Sequence, residues 1–268
     1  MSSTNSSFKR AVWNHYRKSG RHALPWRKTR DPYRILVSEM MLQQTQATRV
    51  VPKYEAFLRR FPDVRTLANA PLGDVLREWQ GLGYNRRAKY LHEAAQAIAA
   101  RHGGAFPRGK EELVLFPGIG PYTAAAVRAF AWNEPDVFIE TNIRTAFIHH
   151  FFPRSKKVPD KKLIPLIEAT LDWKHPREWY SALMDYGSYL KKTEGNVSRR
   201  SAHHTRQKPF KGSDREIRGA LLKLLLAGPA RETSVIRALP FPAARAKAQL
   251  SALLEEGMVT EQRGKLSI

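Results

Sequence analysis

Residues 115–127 read LFPGIGPYTAAAV, a Pro117-Gly118-Ile119-Gly120 turn that runs through Pro121 and Tyr122 into a row of small residues. Extended to KEELVLFPGIGPYTAAAVRAFAW (110–132), the segment predicts a helix, a tight turn and a second helix, with Pro121 suited to a first helical turn. Such a turn offers bare backbone N–H groups and a helix N-terminus to an anion. A dinucleotide-binding turn needs a preceding strand and GxGxxG spacing, and a P-loop needs Gly-Lys-Ser/Thr; this segment has neither. What remains is a glycine hairpin between helices, able to grip one phosphate of a nucleic-acid backbone. The plainer reading is a hairpin that only joins two helices.

Outward from the turn, the pattern from Phe8 to about Phe152 is almost wholly helical. DPYRILVSEMMLQQTQATRVVPKYEAFLRRF carries apolar residues at i, i+3, i+4 spacing, and APLGDVLREWQGLG and AKYLHEAAQAIAARHGG each stop at glycine. DKKLIPLIEATLDW and PREWYSALMDYGSYL add two helices, and no sustained alternating strand pattern precedes residue 257. A mainly α fold follows, with a body over 8–190. Residues 191–212 read as a basic linker or loop: from Tyr189 to Gly212 there are seven Lys/Arg against one Glu, including Arg199 and Arg200. This stretch is either a solvated tether or a strand that tracks DNA. Residues 213–268 give helix, helix, helix and a hairpin turning at Arg263-Gly264, the pattern of a small winged-helix-like α+β unit. With nine basic against six acidic residues there, DNA contact and a packing role both stand open.

Composition narrows the partner. The 268 residues carry 46 Lys+Arg against 24 Asp+Glu, a formal charge of +22. This predicts a polyanionic partner, nucleic acid before membrane, because no apolar run is long enough to span a bilayer. The absence of cysteine excludes disulfides, thiolate metal sites and Cys-bound iron–sulfur clusters. The pairs His149-His150 and His203-His204 lack a supporting carboxylate or Cys spacing, so no metal site is expected. The polar start MSSTNSSFKR has no apolar core of a secretion signal, and a cytoplasmic, nucleoid-associated setting is expected.

Two carboxylates carry the chemistry. Glu39 lies in VSEMMLQQTQ, beside Met40, Met41 and Leu42; desolvation there raises a carboxyl's pKa and suits it to donate a proton. Glu140 lies in VFIETNIRT, after the second helix of the hairpin segment. One carboxyl held protonated and one ionised are the minimum set for cleaving a glycosidic bond through an oxocarbenium-like transition state. Taken alone, Glu39 reads more often as an exposed helix charge; only the combination singles it out.

LPWR (24–27), SEMMLQQTQ (38–46), FPDVRTLANAPLGDVLREWQGLGYNRRAKYLHEAAQAIAARHGGAFP (61–107) and FPGIGPYTAAAV resemble the helix-hairpin-helix (HhH-GPD) DNA glycosylase superfamily. Within it the likeness, over roughly residues 8–190, is to MutY-type adenine glycosylases acting on A/G mismatches. The resemblance implies a two-lobed helical body that takes double-stranded DNA with a mispaired or damaged base and extrudes the base into a pocket. It implies that Glu39 protonates the adenine leaving group at N7. Gln44 and Tyr84 would wedge into the base stack, with Gln43, Thr45 and Leu82 on the opposing base and Arg86 among the DNA contacts. Gly118 and Gly120 would hold a phosphate, with a monovalent cation on the hairpin carbonyls in many members, and Asn142 would orient groups near the sugar. Tyr122 stands where strand-nicking relatives carry the Schiff-base Lys, which implies a monofunctional enzyme without lyase activity. Members generally act as monomers.

Three departures from the pattern bear on this. Glu140 replaces the family's catalytic Asp, and a shift near 1 Å can cost ~100-fold in rate, so a pocket adjusted around Glu140 is expected. The four cluster cysteines are missing, and the basic stretch with Arg199 and Arg200 is expected to take over their structural and phosphate-contacting work. The winged-helix-like unit is expected to stand in place of the family's C-terminal domain that recognises 8-oxoguanine. The leading expectation is an adenine glycosylase acting opposite G or 8-oxoguanine. The alternatives are a T/G, U/G or damaged-base glycosylase of the same fold, and a non-catalytic protein that binds DNA lesions.

Overall fold

Helix follows helix because the apolar residues recur at helical spacing and the breaks carry their own stop chemistry. A computed structural model describes residues 3–207 and 209–268; residues 1–2 and position 208 of the basic stretch lie outside it. Among the described residues the order is α1 (Ser3–Ser19), α2 (Pro32–Leu42), α3 (Ala47–Arg60), α4 (Val64–Ala68), α5 (Leu72–Trp79), α6 (Arg86–His102) and α7 (Lys110–Leu113). Then come α8 (Pro121–Trp132), α9 (Thr141–Phe151), α10 (Asp160–Thr170), α11 (Pro176–Thr193), α12 (Asp214–Ala227), α13 (Glu232–Arg237) and α14 (Ala243–Glu255). A single hairpin, β1 (Thr260–Gln262) with β2 (Lys265–Ser267), closes the chain, so the mainly α expectation holds. Its turn is the predicted Arg263-Gly264, with φ of +49° and +70°, the paired positive φ that matches strand twist in a two-residue hairpin. Asp63 starts α4 by accepting the N–H groups of Arg65 and Thr66, and Gly103 ends α6 in the left-handed region. No described helix is long and apolar enough to cross a membrane.

The chain forms two compact units. One holds the chain up to Glu39 with Pro107–Leu115 and Ile119–Arg206. Its core is aromatic: Phe8 from α1 lies 4.7 Å from Phe147 of α9 and edge-on to Trp179 of α11, all fully buried. Asp185 on the same helix is buried, and a buried charge needs partners. Arg27 supplies two of its bonds, at 2.6 and 2.8 Å, and Arg21 supplies its backbone N–H at 2.8 Å and its guanidinium. α11 and α9 approach closely at Gly187: a Cβ there would lie 2.6 Å from the carbonyl carbon of Asn142 and 2.9 Å from its Cα. Only glycine fits there.

The second unit holds Met40–Phe106, Phe116–Gly118 and Gln207–Ile268. Phe57 packs edge-on to Phe61 and Trp79 inside α3–α6, and Leu221, Leu225, Leu250, Leu253 and Leu266 are buried among α12–α14 and the hairpin. Within this unit Arg77 donates to the carbonyl of Leu226 at 3.3 Å, and Arg86 and Arg218 both pair with Glu256.

Candidate active site

Glu39 comes from the third turn of α2, and its side chain is buried with one hydrogen-bond donor, the Tyr122 hydroxyl at 2.9 Å. Burial pushes its carboxyl up to about 7, the Tyr122 bond opposes this, and the nearby charge of Glu140 adds to it. Tyr122 sits in the first turn of α8, edge-on to Phe138 at 5.7 Å, and burial with the two carboxylates drives its own hydroxyl well above the ordinary range. Such a tyrosine stays neutral and can only steer Glu39, not compete for its proton.

Glu140 is the N-cap of α9. Its Oε1 accepts the backbone N–H groups of Asn142 at 2.6 Å and Ile143 at 2.8 Å, and its Oε2 accepts the Asn142 side-chain amide at 3.2 Å. Burial pushes this carboxyl up too, against those two backbone bonds and the charges of Lys191 and Arg144. The two acids are therefore displaced in the same direction, and their partners separate them. Glu39 has one neutral donor; Glu140 has three N–H donors, a helix N-terminus and two cations. Of the pair, Glu140 is the one favoured as the anion and Glu39 the one favoured as the acid.

The raised Glu39 has a sign that can be checked. Below its ordinary value of 4.5 the folded and unfolded chains both hold the proton, and Glu39 contributes nothing to the pH dependence. Between 4.5 and about 7 only the folded chain holds it, so stability falls as pH rises, and above about 7 the cost is complete at about 3 kcal/mol. The Glu39→Gln chain is therefore expected to melt several degrees higher than the native chain at pH 8, with the gap closing towards pH 4. A gap that does not depend on pH, measured by thermal melts across that range, would rule out a protonated Glu39.

The remaining sequence-predicted residues fall into three groups. Gln43, Gln44, Thr45, Leu82 and Tyr84 lie on two loops of the second unit that are joined by Arg87. Its buried guanidinium donates to the carbonyls of Met40 (2.7 Å), Met41 (3.1 Å), Gln43, Leu82 (3.3 Å) and Gly83 (3.2 Å), and to the Thr45 hydroxyl at 3.3 Å. Gln44 is exposed and Leu82 is buried. Gln44 and Tyr84 both hold left-handed backbone, φ +54° and +50°. The other two described non-glycine residues with positive φ have evident reasons, Asn133 as the cap of α8 and Arg263 as the hairpin turn. Left-handed backbone at non-glycine residues is the kind of strain that collects at functional sites. Tyr84 is further engaged by Gln207, and by Arg215, whose guanidinium lies 5.0 Å from the ring centre.

Gly118 has φ +73°, and a Cβ there would come within 2.6 Å of the Cβ of Tyr90; Gly120 precedes α8, which no side chain caps. The third group is the basic residues. Arg86 pairs with Glu256, Arg199 is exposed, and Arg200 donates to the carbonyls of Ser155 (2.8 Å) and Phe152. The basic stretch also bonds back through Val158, whose N–H meets the Arg200 carbonyl and whose carbonyl takes the Ala202 N–H. Among the described residues no cluster of three or more His, Asp or Glu could hold a metal ion.

Two residues of these arrangements escaped the sequence reading, Arg87 and Lys191. Each carries a signal in retrospect. Arg87 lies on the same helical face as Leu91, Ala94 and Ile98, where a cation is out of place. Lys191 lies four residues after Gly187, on the face that meets α9.

The HhH-GPD family model, described as a superfamily of base excision DNA repair proteins, matches residues 37–234. The chain belongs to this superfamily. An adenine DNA glycosylase of Mycolicibacterium smegmatis is 34% identical over 270 residues, covering 90% of this chain and 89% of that protein. An adenine DNA glycosylase of Buchnera aphidicola (subspecies Baizongia pistaciae) is 35% identical over 184 residues, 68% of this chain. The chain spans about half of that relative's length (52%). The structure of a thermostable thymine-DNA glycosylase superposes with a TM-score of 0.60 at 25% identity, covering 69% of this chain and 86% of that one. The HhH-GPD match runs through both carboxylates, the glycine turn and the whole of α11 and α12.

Proposed function

We propose that this HhH-GPD protein is a base-excision DNA glycosylase that hydrolyses the N-glycosidic bond of a flipped-out mispaired base, adenine opposite G or 8-oxoguanine. The observation that carries the reading is a buried carboxyl raised to about 7, Glu39, in electrostatic reach of a helix-capping carboxylate, Glu140. Adenine as substrate rests on the adenine glycosylases among its relatives. In this reading Glu39 gives its proton to N7 of adenine, the bond from the base to C1′ breaks with its electron pair leaving on the base, and Glu140 steadies the cationic sugar. Water then adds at C1′ and returns a proton to Glu39. Tyr122 offers no amine for a Schiff base, so the product is an abasic site in an uncut strand. Gln44 and Tyr84 open the duplex, and the Gly118–Gly120 turn holds a phosphate with no resident cofactor. The chain acts on DNA as a monomer.

The likeness to a thermostable thymine-DNA glycosylase favours one other reading, the same chemistry on T or U opposite G. Single-turnover base release on duplexes with A:G, A:8-oxoguanine, T:G and U:G separates the two. Release from the adenine strands, with strand scission only after alkali, is the expected result. Scission without alkali would overturn the monofunctional reading, and no release from any duplex would overturn the enzyme.

A further inference from the structure

Lys191, near the end of α11, turns inward. Its Nζ donates to the Asn142 Oδ1 at 2.8 Å, and Asn142 in turn places its Nδ2 3.2 Å from the Oε2 of Glu140. An ammonium can only donate, so the amide oxygen must face Lys191 and the amide nitrogen must face the carboxylate. The chain Lys191–Asn142–Glu140 thus has one orientation. Its first member opens the basic stretch that stands where the superfamily resemblance leads one to expect cysteines.

We infer that Lys191 is a positioning residue: its ammonium fixes the Asn142 amide and, through it, holds the longer Glu140 side chain in place as the anion. The inference rests on the excision reading for its chemical purpose, but not for its test. A glutamate reaches one methylene further than an aspartate and has one more torsion to order. Here both its oxygens are taken: Oε1 by two backbone N–H groups of α9, Oε2 by Asn142. The fourth group, Lys191, keeps Asn142 from rotating away and brings a full positive charge to a half-buried carboxylate.

The other charged and titratable groups around Glu140 do not replace it. Arg144, on the same helix, is committed to Asp160 by two bonds of 2.8 and 2.7 Å. Glu39 from α2 is an acid, and the Tyr122 hydroxyl from α8 is spent on Glu39. The coupling is mutual: burial pulls the Lys191 ammonium down from its ordinary value while Glu140 pulls it back up.

The test uses the fact that the chain has no cysteine. Lys191→Cys removes the charge, and aminoethylation of that single thiol rebuilds an ammonium of nearly the same length on the same folded chain. The Glu140 carboxyl is followed by 13C NMR titration, its resonance assigned by its loss in Glu140→Gln. The Glu140 midpoint is expected to rise by about one pH unit in Lys191→Cys and to return after aminoethylation. Lys191→Gln, which keeps a donor for Asn142 without the charge, is expected to raise it as well.

An unmoved midpoint in either variant, or no recovery on aminoethylation, overturns the inference. In base release, the acidic limb of the pH–rate profile moves upward with the midpoint, whereas a merely structural loss lowers the rate equally at every pH. The NMR titration needs no substrate, so a failed excision reading and a failed Lys191 reading are told apart.

Discussion

Glu39→Gln is expected to lower single-turnover base release by roughly 100- to 10,000-fold while leaving duplex binding intact, since a positioned general acid contributes about that much. The substitution keeps the shape of the side chain and its bond from the Tyr122 hydroxyl, now to an amide oxygen. It removes the one thing the site is built to keep, a proton on a carboxyl raised to about 7. The same change is expected to raise the melting temperature above pH 7, where the native chain holds a buried charge. Gain of stability together with loss of excision is the signature of a functional group kept against the interest of the fold. If release persists in Glu39→Gln, the acid is another group. If binding is lost with it, Glu39 holds the site together and does not donate the proton. Binding read by anisotropy beside release under alkali distinguishes all three.

How far the sequence foretold this site depends on how local each feature is. The helices, the glycine turn, the hairpin at Arg263-Gly264 and the mainly α class follow from periodicity and turn chemistry that act over a few residues, and they appear as read. Glu39 was legible only in combination, as an acid among apolar neighbours in a chain that also carries the glycine turn, a second carboxylate and the family's motifs; alone it reads as a surface helix charge. Glu140 was legible only by its distance from the turn and by resemblance. Its partners were not. Tyr122 meets Glu39 across 83 residues and Lys191 meets Asn142 across 49, and nothing in either local pattern announces the partner. Arg87 shows the same limit: its position on an apolar face is visible in the sequence, but the set of loop carbonyls it gathers comes only from packing. The sequence already read Glu39 as the acid, from its apolar neighbours and by resemblance, and Glu140 as the counterpart of the family's Asp. The bonds around Glu140 support that division of roles.

Gly187→Ala supplies a test in which two elementary effects oppose each other. In an isolated helix alanine is better than glycine by about 1 kcal/mol, so propensity alone makes this a stabilising change in the interior of α11. Packing says the reverse, because the added methyl would overlap the Asn142 carbonyl, 2.6 Å from its carbon. The obstacle is backbone in the first turn of α9, held by the Glu140 cap, and not the end of a flexible side chain that could swing aside. Overpacking of this kind costs about 1–3 kcal/mol, enough to overcome the propensity gain in most of that range. The expected result is a lower melting temperature. A second consequence falls on the chemistry. Relief of the overlap moves Asn142 away from α11, which lengthens the Lys191 bond and tilts the Glu140 carboxylate with it. A displacement near 1 Å is expected to cost ~100-fold in base release, more than the lost stability explains at temperatures where the variant remains folded. A chain that melts higher than the native protein and excises normally would mean that α9 and α11 part easily. The glycine would then serve neither the packing nor the site.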